Sequence, residues 1–180
     1  MLSKEAILDA VDKGDIVISP FDEKNLNGVS YDMELSNILK VYKPMVNDQV
    51  NIIDTKDIKP ETYMIDLNDW KETGIVLQPR YLYLGSTVES VKSTKYVPCI
   101  SGRSTYARCG IQVHQTAFFA NPGHDFHWVL EISTVLPVII YPGMKLSQMY
   151  FEPIEGNMKE SDLYHGRYEK HNLSVGKSEL

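Results

Sequence analysis

Short runs of valine, isoleucine, leucine and tyrosine, interrupted by glycine, proline or asparagine every ~8–12 residues, predict a mainly β fold, a sandwich or barrel. Two more observations agree. Helical periodicity is confined to the start of the chain, and the last stretch, 155–180, is too polar to build a core.

The opening helix is read from Ser3 as its cap, Ala6, Ile7, Ala10 and Val11 at helical spacing, and Gly14 as its stop. Ile16-Val17-Ile18 is β-branched and ends at Ser19-Pro20, and Asn27-Gly28 marks a turn. Tyr31 to Leu35 alternates, which suits a strand with one wet face. From Ile38 to about Asp69 the pattern weakens into strands with long surface excursions. Strand signals return at Ile75 to Leu77, Tyr81 to Leu84, Val88, Val135 to Ile140 and Met149 to Phe151.

A chain of 180 residues is one domain large enough for its own core, with 155–180 as a tail able to close over a ligand. The net charge of -6 argues against a nucleic-acid partner, which calls for a basic face. Cys99 and Cys109 form no metal or disulfide pattern and are read as reduced thiols. The N-terminus is too charged for a signal peptide, and no apolar run reaches the ~20 residues of a membrane span. A soluble cytoplasmic protein is therefore expected.

The chemistry concentrates between Ser101 and Glu131. Glu131 sits in the apolar string Trp128-Val129-Leu130-Glu131-Ile132. An ionised carboxylate in such a string needs a cationic partner, a raised pKa or a place on a pocket wall. Arg103 and Arg108 are candidates for that partner. In Gly102-Arg103-Ser104, glycine opens the backbone, arginine offers a bidentate fork and serine a hydroxyl, a set suited to phosphate. His114, His124 and His127 lack the further ligands of a zinc site, and the zinc deaminase signature is absent. Walker, dinucleotide-binding and G-x-S-x-G motifs are absent too.

The run Gly102-Arg103-Ser104-Thr105-x-Ala107-Arg108-x-Gly110, then Val113-His114-x-Thr116-Ala117, Pro122-Gly123 and Val129-Leu130-Glu131, resembles the dCTP deaminase branch of the dUTPase-like superfamily. Ser30 to Leu35, Thr87-x-Glu89, Pro142-Gly143-Met144, Phe151-Glu152-Pro153 and Gly166-Arg167-Tyr168 follow in the family's order, whereas 38–74 carries no such mark. The resemblance implies a distorted β-barrel or jelly roll (β-clip). It also implies a homotrimer with sites at subunit interfaces, and zinc-independent deamination of a deoxycytidine nucleotide, foremost dCTP. Glu131 would be general base and acid, Arg108 its orienting cation, and Ser104 a contact to phosphate and water. Arg103 would bind the phosphates, Thr116 and Ala117 would read the cytosine edge, and Tyr164 and Arg167 would close from the tail. Mg2+ would ride on the nucleotide phosphates.

Asn121 stands where the family has the aspartate that contacts the sugar. His124, Asp125 and Phe126 change the wall after Pro-Gly, and the tail glutamines are replaced by Glu169 and His171. The alternatives are a bifunctional enzyme that also cleaves the triphosphate, a dCMP or 5-modified dCTP deaminase, and a nucleotide-binding regulatory trimer without chemistry.

Overall fold

The computed structural model describes residues 1–46, 48–56 and 61–166. The opening helix α1 spans Lys4–Asp12; Ser3 Oγ accepts from Ala6 N–H at 3.3 Å, and Gly14 ends the segment at φ +73°. Its apolar stripe sends Ile7 and Ala10 into the core.

The strands are β1 (Ile16–Ser19), β2 (Tyr31–Met33), β3 (Ile38–Tyr42), β4 (Met45–Val46), β5 (Gln49–Val50), β6 (Thr62–Asp66) and β7 (Ile75–Leu77). They continue as β8 (Tyr83–Ser93), β9 (Tyr96–Gly102), β10 (Ile111–Gln112), β11 (Asp125–Thr134), β12 (Val138–Ile140) and β13 (Ser147–Pro153). A one-turn helix α2, Ser104–Ala107, follows β9.

The chain folds around β8. One edge of β8 carries β11; the other is shared by β1 against Ser90–Ser93 and β3 against Tyr83 and Leu84. With β10 outside β11 and β6 outside β3 this makes the largest sheet, and β2-β13-β9 forms a second. Leu39, Val41, Leu130 and Ile132 from the first sheet meet Met33, Ile100, Met149 and Phe151 from the second in one core. The remaining pairs are β12 with β7 and β4 with β5. Among the described residues no helix is long and apolar enough to cross a membrane.

The mainly β expectation is met, with local corrections. Tyr31, Asp32 and Met33 are all buried, so this strand has no wet face there. Asp32 is tolerated inside because it pairs with Arg103. Tyr81 to Leu84 and Val88 belong to a single stretch of backbone, with β8 running on through Gly85, where a Cβ would lie 2.9 Å from Leu35 Cδ1. The run Val135 to Ile140 pairs only from Val138; Val135 and Leu136 are exposed, on the turn where Val135 N–H bonds Gly110 O. The turn expected at Gly102 to Ser104 leads directly into α2.

β8 carries a bulge that bears on the site. Asp125–His127 pair with Lys92–Ser90, and Val129–Ile132 with Ser86–Tyr83, so Thr87, Val88 and Glu89 stand opposite Trp128 alone. Thr87 Oγ1 accepts from Trp128 N–H at 2.9 Å and donates to Glu89 O at 2.7 Å. The Glu89 carboxylate accepts from Glu34 N–H at 3.0 Å, and Val88 N–H bonds Glu34 O at 2.8 Å. The Thr87-x-Glu89 pair thus ties β8 to β11 on one side and to the segment after β2 on the other.

Candidate active site

Strand β11 alternates strictly. Phe126, Trp128, Leu130 and Ile132 are buried, while His127, Val129 and Glu131 are only partly covered. A period of two therefore turns Glu131 away from the apolar neighbours that flank it in sequence. Of the three environments expected for this carboxylate, the structure shows the pocket wall.

That pocket has a volume of about 580 Å³. Tyr42, Leu82, Leu84, Val129 and Glu131 contribute from β3, the start of β8 and β11, while Gln115–Ala117 and Phe119–Asn121 form a second wall. His124 and Tyr164 stand at its end. Glu131 Oε2 accepts from Gln115 N–H at 2.9 Å. The Gln115 side-chain amide turns back to Glu131 O at 3.1 Å and Ser133 Oγ at 3.0 Å, fixing the loop onto β11.

Tyr164 comes from the segment after β13. Its ring stacks on His124 at 4.4 Å between centroids, and His124 stacks on Phe126 at 4.0 Å. Tyr164 N–H bonds Pro122 O at 2.8 Å, and Gly123, at φ +93°, allows this approach because a Cβ there would lie 2.8 Å from Leu163 Cβ.

The residues expected to hold phosphate lie elsewhere in the same chain. Ser104, the first residue of α2, and Arg108, just past its end, are exposed and do not line the cavity. Arg108 Nη1 donates to Ser104 O at 3.3 Å. Arg103 Nε lies 3.2 Å from Asp32 Oδ1, and its Nη1 donates to Lys145 O at 3.2 Å. The structure thus gathers Thr116, Ala117, Asn121, Glu131 and Tyr164 around one cavity and holds Arg103, Ser104 and Arg108 apart from it. Arg167 and His171 lie outside the described residues.

Sequence reasoning missed Tyr42, Leu82, Leu84, Gln115 and Val129. Alternation around Glu131 would have indicated Val129; nothing local indicates Tyr42, which reaches the cavity only through strand pairing. Burial, and after it the Glu131 charge, pushes the Tyr42 phenol above its ordinary pKa. Among the described residues no three His, Cys, Asp or Glu side chains cluster as metal ligands.

A sequence profile of the dCTP deaminase-like family matches residues 1–154. The chain belongs to the dCTP deaminase-like family. The "dCTP deaminase, dUMP-forming" of Clostridium acetobutylicum is 41% identical over 160 residues, covering 89% of this chain and 86% of that one. The protein of the same description from Clostridium beijerinckii is 41% identical over 170 residues, covering 94% and 90%. The fold is similar to that of the 2'-deoxycytidine 5'-triphosphate deaminase from Agrobacterium tumefaciens, with a TM-score of 0.60 at 19% identity over 89% of this chain. The match spans half the length of that protein. For a dCTP deaminase-like chain, the segment 38–74, without family marks in sequence, still supplies a wall of the cavity through Tyr42.

Proposed function

We propose that this protein deaminates dCTP at C4 and carries the product on to dUMP, consuming two waters and releasing ammonia and pyrophosphate. The observation that carries the deaminase half is Glu131 on the cavity wall, one oxygen held by Gln115 N–H at 2.9 Å. A carboxylate fixed in this way can take a proton from water adding to C4 and pass it to N3, then collect the proton of the new C4 hydroxyl and deliver it to the amine as the C4–N bond breaks and the C4 carbonyl forms. The description "dUMP-forming", shared by relatives at 41% identity, supports triphosphate cleavage as the second half.

Thr116, Ala117, Asn121 and Tyr164 line the cavity; in this reading backbone groups of Thr116 and Ala117 meet the pyrimidine edge, the Asn121 amide bonds the sugar hydroxyl, and Tyr164 closes over the nucleotide. We infer that Ser104 and Arg108 serve the cavity of an adjoining copy in a homotrimer, which accounts for their distance from Glu131 in one chain. Arg103, steadied by Asp32 and likewise outside the cavity of its own chain, would join them in that adjoining site as a phosphate ligand, and Arg167 and His171 would act from the tail. Mg2+ arrives as part of the substrate, on the phosphate oxygens. Water activation falls to Glu131, whose carboxylate lines the cavity with one oxygen held by Gln115 N–H.

The test is Glu131→Gln, assayed for ammonia release from dCTP and for dCTP binding. An amide can still accept from Gln115 N–H but cannot take a proton, so turnover falls by about 1,000-fold with binding retained. A variant as active as the parent removes Glu131 from the mechanism. Product analysis decides the second half: dUMP with one pyrophosphate per ammonia supports it. Accumulating dUTP without pyrophosphate marks a deaminase alone, the reading favoured by an amide at Asn121.

A further inference from the structure

Three strands in register set the cavity wall that holds the carboxylate. Glu131 on β11 pairs with Leu84 on β8, and Leu84 pairs with Lys40 on β3. Cross-strand partners project from the same face of a sheet, and so do residues two apart along one strand. Tyr42 therefore stands next to Lys40 on the face that carries Glu131, with Leu84 between the strands. Tyr42 and Glu131 both line the cavity.

The surroundings of Tyr42 on this wall are apolar: Leu82, Leu84 and Val129. Phenylalanine would satisfy such a wall by packing, and a phenol hydroxyl over it calls for a polar partner. The Glu131 carboxylate is the polar group that shares this face of the sheet and this cavity. Gln115 N–H serves Oε2, and the Gln115 side-chain amide is spent on Glu131 O and Ser133 Oγ.

We propose that Tyr42 is a positioning residue for Glu131: its phenol O–H donates to the carboxylate, or to the water seated on it, and sets which oxygen faces the pyrimidine. The inference rests on the deaminase reading above and deepens it. Gln115 N–H and Tyr42 O–H then hold the carboxylate from two directions, one from the loop and one from β3. Burial, followed by the nearby negative charge, keeps the phenol protonated and hence able to donate. The other titratable groups around this cavity are His124, His127 on β11 and Tyr164, with Lys40 on the same face of β3.

The experiment is Tyr42→Phe, which keeps the ring and its packing, followed by kcat and KM for ammonia release from dCTP and by the melting temperature. Loss of one donor lowers kcat about ten-fold with KM within about two-fold and the melting temperature unchanged. A merely structural role would move KM and the melting temperature together with kcat. If the parent is active and the variant keeps its kcat, or loses kcat, KM and melting temperature together, the inference is overturned and the deaminase reading stands. If the parent releases no ammonia from dCTP, dCMP or 5-substituted dCTP, the deaminase reading fails and takes this inference with it.

Discussion

Thr87→Val is a volume-conserving change at a residue 1% exposed, and it removes two hydrogen bonds at once. Thr87 Oγ1 accepts from Trp128 N–H at 2.9 Å and donates to Glu89 O at 2.7 Å. A net hydrogen bond contributes about 1 kcal/mol, and a buried N–H left without an acceptor costs about 1–3 kcal/mol. Trp128 is 5% exposed, so water offers little substitute, and the sum is about 2–4 kcal/mol. In a chain of this length each kcal/mol moves the melting temperature by about 2–4 °C, which places the loss at about 4–16 °C. Thermal unfolding followed by circular dichroism measures it, with Thr87→Ser as the control that keeps the hydroxyl. Because Trp128 lies three positions before Glu131 on β11, turnover should fall together with stability. A valine variant that melts within 1 °C of the parent would show that the hydroxyl does not pin the bulge.

Glu89 is 2% exposed, and desolvation raises its pKa against the opposing hydrogen bond from Glu34 N–H; the Glu34 charge adds to the rise and Lys145 offsets part of it. The folded state therefore holds this proton more tightly than the unfolded chain. The carboxyl's contribution to stability is full below the ordinary carboxylate pKa, declines as pH climbs from there through the raised value, and is level above it. Glu89→Gln should remove that decline, so its melting temperature gains on the parent's as pH rises; parallel curves would count against this account. At Gly123, alanine meets both an unfavourable φ of +93° and a contact 2.8 Å from Leu163 Cβ. Gly123→Ala should push the Leu163–Tyr164 segment off the cavity and raise KM for dCTP about ten-fold, with the melting temperature down by only a few degrees; an unchanged KM would detach Tyr164 from substrate closure.

Much of this molecule could be read locally. Ser3, the Ile7 and Ala10 spacing and Gly14 define α1 without help from the rest of the chain, because capping and helical period act within a few residues. The same holds for the β-rich runs, and for Glu131 as a carboxylate out of place in an apolar string. What the string could not say is which way Glu131 points. Strand alternation supplies that, and it requires knowing where the strand begins and that β8 and β10 flank it. Asp32 reads as the wet position of an alternating strand, yet it is buried because Arg103, 71 positions later, reaches it through the pairing of β2, β13 and β9. The Thr87-x-Glu89 motif is visible as letters, but its work is done on Trp128 and Glu34, which are neighbours only after β8 has bulged.

Residue types and short-range spacing determined the fold class, the first helix and the out-of-place carboxylate, Glu131, that lines the cavity. Tertiary structure decided the company that acid keeps: Tyr42 and Leu84 through strand register, Gln115 through a loop folded back on β11, and Arg108 and Ser104 left outside the cavity of their own chain. The reason is range. Backbone preference acts over a few residues, whereas a binding cavity is made by side chains from strands far apart in sequence, whose meeting depends on the order and register in which the sheet assembles.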